Sequence, residues 1–255
     1  MNRSGSWTTG PWRRQARLAL ALLFAALAVP APADDFERAR GTIGILPLPE
    51  LFGSVPCAPY TPKEIELFRS PDAASFMGRI FVSSPQLDSP AGGCIPPEAS
   101  ASIDSTAQAR WKLPILEFSY ENPGAIVLRR EGNWFEIALG NGNAWVRVQD
   151  DARYLPVEKL LADSLAYLRL QGRPVLVRNP GGKDAVWWPG KRLADEQPVE
   201  VLAFRRLHGR LWLQLRFLQQ DPCSDQYTGL PAVTGWLPFH DAGGMPAVWF
   251  RSRGC

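Results

Sequence analysis

Two histidines, His208 and His240, and four cysteines, Cys57, Cys94, Cys223 and Cys255, are the residues from which nucleophilic or metal chemistry would have to be assembled. A thiol nucleophile needs a base to take its proton and a group to orient that base. His240, followed by Asp241, could serve Cys223 or Cys255 in this way. A disulfide at either sulfur would remove the nucleophile. His208 sits in "RLHGR", a hairpin-turn pattern, and reads as an exposed turn residue. None of the cysteine spacings is C-x-x-C, so zinc ligation and dithiol redox chemistry are not expected, nor is any other metal or cofactor. The carboxylate pairs Asp34-Asp35 and Asp150-Asp151 are neighbours in sequence and point apart in extended chain, which suits solvated turns rather than shared acid and base work. "GNGN" (140–143) lacks the lysine and the strand-to-helix setting of a phosphate loop and reads as a turn.

Aromatic residues are the more informative set. Eight tryptophans follow position 33: Trp111, Trp134, Trp145, Trp187, Trp188, Trp212, Trp236 and Trp249. In "WFEIAL" the residues Phe135, Ile137 and Leu139 alternate with Trp134, Glu136 and Ala138; in "LWLQLRF" Leu211, Leu213, Leu215 and Phe217 alternate with Trp212, Gln214 and Arg216. Period two means a strand with one dry face, and it puts Trp134 and Trp212 on the opposite face. A large flat ring there either covers the sheet beneath a loop or walls a groove for an extended, proline-containing ligand. Trp187 and Trp188 could wall a site shared between domains. Trp134, Trp212, Trp187 and Trp188 are therefore the candidate ligand-binding residues, while Trp145 and Trp236 suit packing.

The elements that position these rings occur twice. "LFRSPD" (Leu67 to Asp72) matches "LVRNPG" (Leu176 to Gly181), each a strand running into a proline turn. "GNWFEIAL" followed by Ala144-Trp145-Val146 matches "GRLWLQLRF" followed by Gly235-Trp236-Leu237. From Leu67 to Trp134 is 67 residues and from Leu176 to Trp212 only 36, so the first copy carries an extra loop rich in Pro, Ser, Ala and Gly that holds Cys94. From Trp134 to Trp145 is 11 residues and from Trp212 to Trp236 is 24; the second copy's extra loop holds Cys223. Three disulfide pairings are possible, and the spacing favours Cys57 with Cys94 and Cys223 with Cys255, which keeps each bridge within one copy. Closing loops of this size contributes about 3 to 4.5 kcal/mol in the chain-entropy account. Between the copies, Val157, Leu160, Leu161, Leu165 and Leu168 fall at helical spacing after Pro156, which predicts a short helix ending near Gly172.

At the start, Arg13, Arg14 and Arg17 precede the twelve-residue apolar run Leu18 to Val29, and Ala31-Pro32-Ala33 has the small-x-small form of a cleavage site. The run is too short to span a bilayer, so a cleaved export signal over 1–33 and a periplasmic or secreted mature chain are expected, without stable membrane insertion. The signal holds four of the 28 basic residues and no acid, leaving 24 basic against 25 acidic, a net charge of −1. Such a balance offers no general attraction to nucleic acid or anionic lipid.

"LFRSPD" leading to "IVLRREGNWFEIALGNGNAWVRV" resembles the bacterial SH3-like domains, small barrels of exported and cell-envelope proteins, and "LVRNPGG" to "TGWLPF" resembles them more loosely. Ala144 stands where that family usually has glycine, and both long loops are departures from its pattern. The resemblance implies an all-β chain of two tandem SH3-like small barrels with a short connecting helix: a signal at 1–33, an extension at 34–56, a first domain at 57–152, a linker at 153–172 and a second domain at 173–255. It also implies a non-catalytic protein binding a peptide, a protein or a cell-wall component. The competing expectation is a cysteine-dependent cell-wall peptidase or amidase using Cys223 or Cys255 with His240.

Overall fold

Aliphatic and aromatic residues recurring at period two between Gly, Pro and Asn turns dictate strands, and the fold is mostly β. The computed structural model describes residues 38–52, 63–82, 99–103, 110–119, 122–149, 153–162, 165–169, 175–186, 196–218 and 233–250. Residues 1–33, expected to be an export signal, together with all four cysteines, Trp187 and Trp188, lie outside these. In chain order the described strands are β1 (Gly44–Pro47), β2 (Ile65–Phe68), β3 (Phe76–Val82), β4 (Ala99–Ile103), β5 (Arg110–Lys112), β6 (Ile115–Ser119), β7 (Asn122–Glu131), β8 (Trp134–Leu139), β9 (Gly142–Arg147), β10 (Leu155–Pro156), β11 (Ala166–Leu168), β12 (Pro198–Leu207), β13 (Arg210–Phe217), β14 (Val233–Pro238) and β15 (Val248–Phe250). Short helices α1 (Pro49–Phe52) and α2 (Val157–Leu161) accompany them.

Two antiparallel sheets result. The first runs β10-β1-β7-β8-β9-β2-β3-β4-β5 with β6 beside β7, and the second runs β14-β13-β12-β11-β15. The first sheet curls on itself, because Gly140 in the β8–β9 turn donates its N–H to Lys112 O at the end of β5, 2.8 Å away. Glycine eases this close approach: a Cβ would lie 3.1 Å from that same carbonyl oxygen, tighter than most Cβ contacts. The extension at 34–56 contributes a strand to this sheet, β1 around Gly44, between β10 and β7.

The two sequence motifs occupy equivalent places in the two ladders. Phe68 pairs with Trp145 in one, and Val177 bridges Trp236 in the other. Glu136, two residues after Trp134, opposes Trp145, while Gln214, two residues after Trp212, opposes Trp236. A bulge falls opposite the step from Glu136 to Ile137 and again opposite the step from Gln214 to Leu215. Even the proline turns agree: Arg69 N–H bonds Ser75 O and Arg178 N–H bonds Asp184 O, both at 2.9 Å.

Packing departs from two separate barrels. One interior, containing Leu46, Leu67, Ile80, Val127, Phe135 and Ile137, lies within the first sheet. The other gathers Leu213, Leu215, Phe217 and Leu237 of the second sheet together with Ile45, Ile126 and Ala138 of β1, β7 and β8. These middle strands therefore bury both faces, and Asp34–Cys255 form one compact unit. The helix between the copies also differs from its leucine spacing. It stops at Leu161, and Ala166–Leu168 pairs with β12 and β15 instead. Ala166, Tyr167 and Leu168 are all buried, which a strand between two neighbours satisfies and a one-faced surface helix does not.

Candidate functional site

Trp134 opens β8 after a two-residue loop, Gly132-Asn133, closed by the pair Glu131 and Trp134. Gly132 has φ +60, which supplies the positive φ at the first central position of a tight hairpin. Because the hairpin ends there, the indole stands at the end of the sheet rather than in its middle. A cleft of about 780 Å³ opens beside it. Phe68 of β2 meets the indole edge-on, with ring centroids 5.0 Å apart at 90°. Arg147, the cross-strand neighbour of Trp134, holds its guanidinium carbon 5.7 Å from the ring centroid. Such cation-π and edge-to-face contacts orient the ring while leaving apolar surface for a ligand. Phe76, 49% exposed, extends the aromatic row, 6.2 Å from Phe68.

Charge of both signs lines the same cleft: Glu64 and Glu66 from the approach to β2 and β2 itself, Glu50 from α1, and Arg153 from the segment before β10. Arg153 Nη1 donates to Glu50 Oε1 at 2.5 Å. Glu50 Oε2 and Arg153 Nε are buried and have no partner among the described residues. One acceptor and one donor are thus left over from the ion pair, an arrangement costly unless something else uses them. Tyr154 locks the segment in place through its hydroxyl, which donates to Ile43 O at 2.7 Å. Burial pushes its phenol up to about 12.

Of the candidate ligand-binding residues, Trp134 lines the cleft. Trp212 is 9% exposed and lies under Arg210, whose guanidinium carbon is 5.7 Å from its ring centroid. The second copy's equivalents explain the contrast. Where Trp134 has Arg147 and Phe68, Trp212 has Pro238 across the ladder, and Val177 stands in the place of Phe68. Trp145 is buried, with Arg129 above its ring at 5.3 Å. Trp187, Trp188, Cys57, Cys94, Cys223 and Cys255 lie outside the described residues. Sequence reasoning missed Glu50, Glu66, Phe68, Arg147 and Arg153. Arg147 could have been found from its place two residues after Trp145, on the outward phase of the strand; Arg153 carries no local signal.

Both histidines line a second cleft, of about 310 Å³. His208 and Gly209 take φ +49 and +75 in the β12–β13 turn, as the hairpin pattern predicts. His240 Nε2 lies 2.9 Å from Thr42 O. A carbonyl only accepts, so Nε2 carries a proton and, in the neutral ring, Nδ1 is the free basic nitrogen. Burial holds the His240 pKa below its usual 6.5, against the opposing pull of the Thr42 contact. With the folded pKa depressed, the unfolded chain binds the proton more tightly. The stability this group contributes is then complete above pH 6.5 and declines as pH falls below it. His240→Gln, which keeps a donor toward Thr42, is expected to flatten that acid limb; urea midpoints measured between pH 5 and 8 that slope equally in both proteins would disprove it.

Comparison with protein-family models, with curated proteins and with solved structures finds no match to this chain.

Proposed function

We propose that this is an exported, non-catalytic binding protein of the bacterial cell envelope, built on two SH3-like copies, and that the first copy receives an extended peptide or cell-wall peptide beside Trp134. The observation that carries the reading is the open cleft in which one indole is braced by Phe68 and Arg147 and shares the lining with carboxylates and a second guanidinium. An extended chain offers apolar side chains to the aromatic wall and amide groups to the polar one. The second copy, with Val177 and Pro238 in the corresponding places, lacks this brace.

Titrating the purified protein with proline-containing peptides and with soluble cell-wall peptide fragments, followed by calorimetry, tests this. Trp134→Ala is expected to weaken binding about 30-fold, the loss typical of a central aromatic anchor, with unchanged circular dichroism. Trp212→Ala is expected to leave affinity within about twofold. Equal binding by wild type and Trp134→Ala would move the contact to the loops, and a reactive thiol count above zero would reopen the cysteine-dependent alternative.

A further inference from the structure

The cleft holding the histidines is apart from the Trp134 site and has a different chemistry. Among the described residues Arg206, His208, Arg210 and His240 line it and no carboxylate does, while Val157 and Phe239 supply apolar surface. The acids next in sequence to lining residues, Glu158 and Asp241, each accept hydrogen bonds at one oxygen, while Glu158 Oε2 has no partner among the described residues. Glu158 Oε1 accepts from Arg206 Nη2 at 2.5 Å, and Asp241 Oδ1 accepts the N–H groups of Gly243 and Met245 at 2.7 and 2.9 Å. Arg206 is therefore charge-compensated, whereas Arg210 has no carboxylate partner among the described residues. Its Nη2 donates to His240 O at 3.1 Å and its guanidinium lies over Trp212. Both contacts fix its direction, and neither cancels its charge. A guanidinium oriented in advance, with donors to spare, is suited to a carboxylate.

We propose that this cleft is a second binding site, for a small organic carboxylate whose apolar body rests on Val157 and Phe239 and whose anionic end meets Arg210. Its volume is at the lower end for small-molecule sites, which limits the occupant to about one ring and its carboxylate. A single uncompensated guanidinium suits a monoanion better than a doubly charged phosphate. The two clefts share no lining residue among those described.

The full chain is titrated with benzoate, acetate and inorganic phosphate while the imidazole proton resonances of His208 and His240 are followed by NMR. Benzoate should shift both saturably in the millimolar range, and more tightly than acetate or phosphate. Arg210→Gln should weaken benzoate about tenfold or more, and Trp134→Ala should not change it. No saturable shift, equal affinity for benzoate and acetate, preference for phosphate, or unchanged binding by a folded Arg210→Gln protein would each overturn the proposal. The comparison of the three anions on the wild-type chain decides the matter even if that variant fails to fold.

Discussion

Phe135→Ala is expected to destabilise the protein by about 3–5 kcal/mol, the cost of a large core ring replaced by a methyl group. Phe135 is fully buried on β8, and its ring packs 5.2 Å from that of Tyr154. The loss should not stay local. Tyr154 ties the segment carrying Arg153 to Ile43, the residue before β1, so the polar lining of the Trp134 cleft should loosen together with the interior. β8 also sends Ala138 to the other interior, so the second sheet should lose its structure in the same transition. Urea unfolding followed by far-ultraviolet circular dichroism and by tryptophan fluorescence checks this: coincident curves displaced to lower urea are expected. A displaced first transition with an unmoved second one would show that the sheets unfold separately.

Ile126→Ala should cost about 2–5 kcal/mol although Ile126 belongs to a strand of the first sheet and packs with the second. Its neighbours Ala125 and Val127 face the first interior, while Ile126, with Ile45 opposite it in the ladder, joins Leu213 and Phe217. On a barrel standing alone this position would be outer surface, where truncation changes stability by no more than about 0.5 kcal/mol. Ile126→Val, with one methylene fewer, should cost about 0.5–1.5 kcal/mol and grades the response. A near-zero effect of Ile126→Ala on the urea midpoint would sink the shared-interior account.

Much of the strand content was legible because its signal is local. Period-two alternation located β8 and β13, glycine and asparagine marked their turns, and the paired motifs anticipated that Trp145 and Trp236 would occupy matching rungs. The leucine spacing after Pro156 misled in part. Leu168 sits at a helical interval from Leu161, yet the partner strands β12 and β15 take that stretch into a ladder. Propensity is a weak prior when tertiary pairing can bury both faces of a segment.

By itself the sequence determined the twofold recurrence of proline turn, tryptophan strand and second tryptophan strand, since each follows from the order of residues along a few consecutive positions. Which tryptophan would line an open cleft was decided by tertiary structure. Trp134 and Trp212 have the same alternation, but the β12–β13 hairpin runs two pairs further beyond its tryptophan than β7–β8 does. Arg210, at the end of that extension, covers Trp212, whereas Trp134 is the first residue of its strand and lines a gap with Phe68, Arg147 and the distant Glu50 and Arg153. Long-range pairing brings Glu50 and Arg153 together from 103 residues apart, and that proximity depends on how the sheets close rather than on any short pattern.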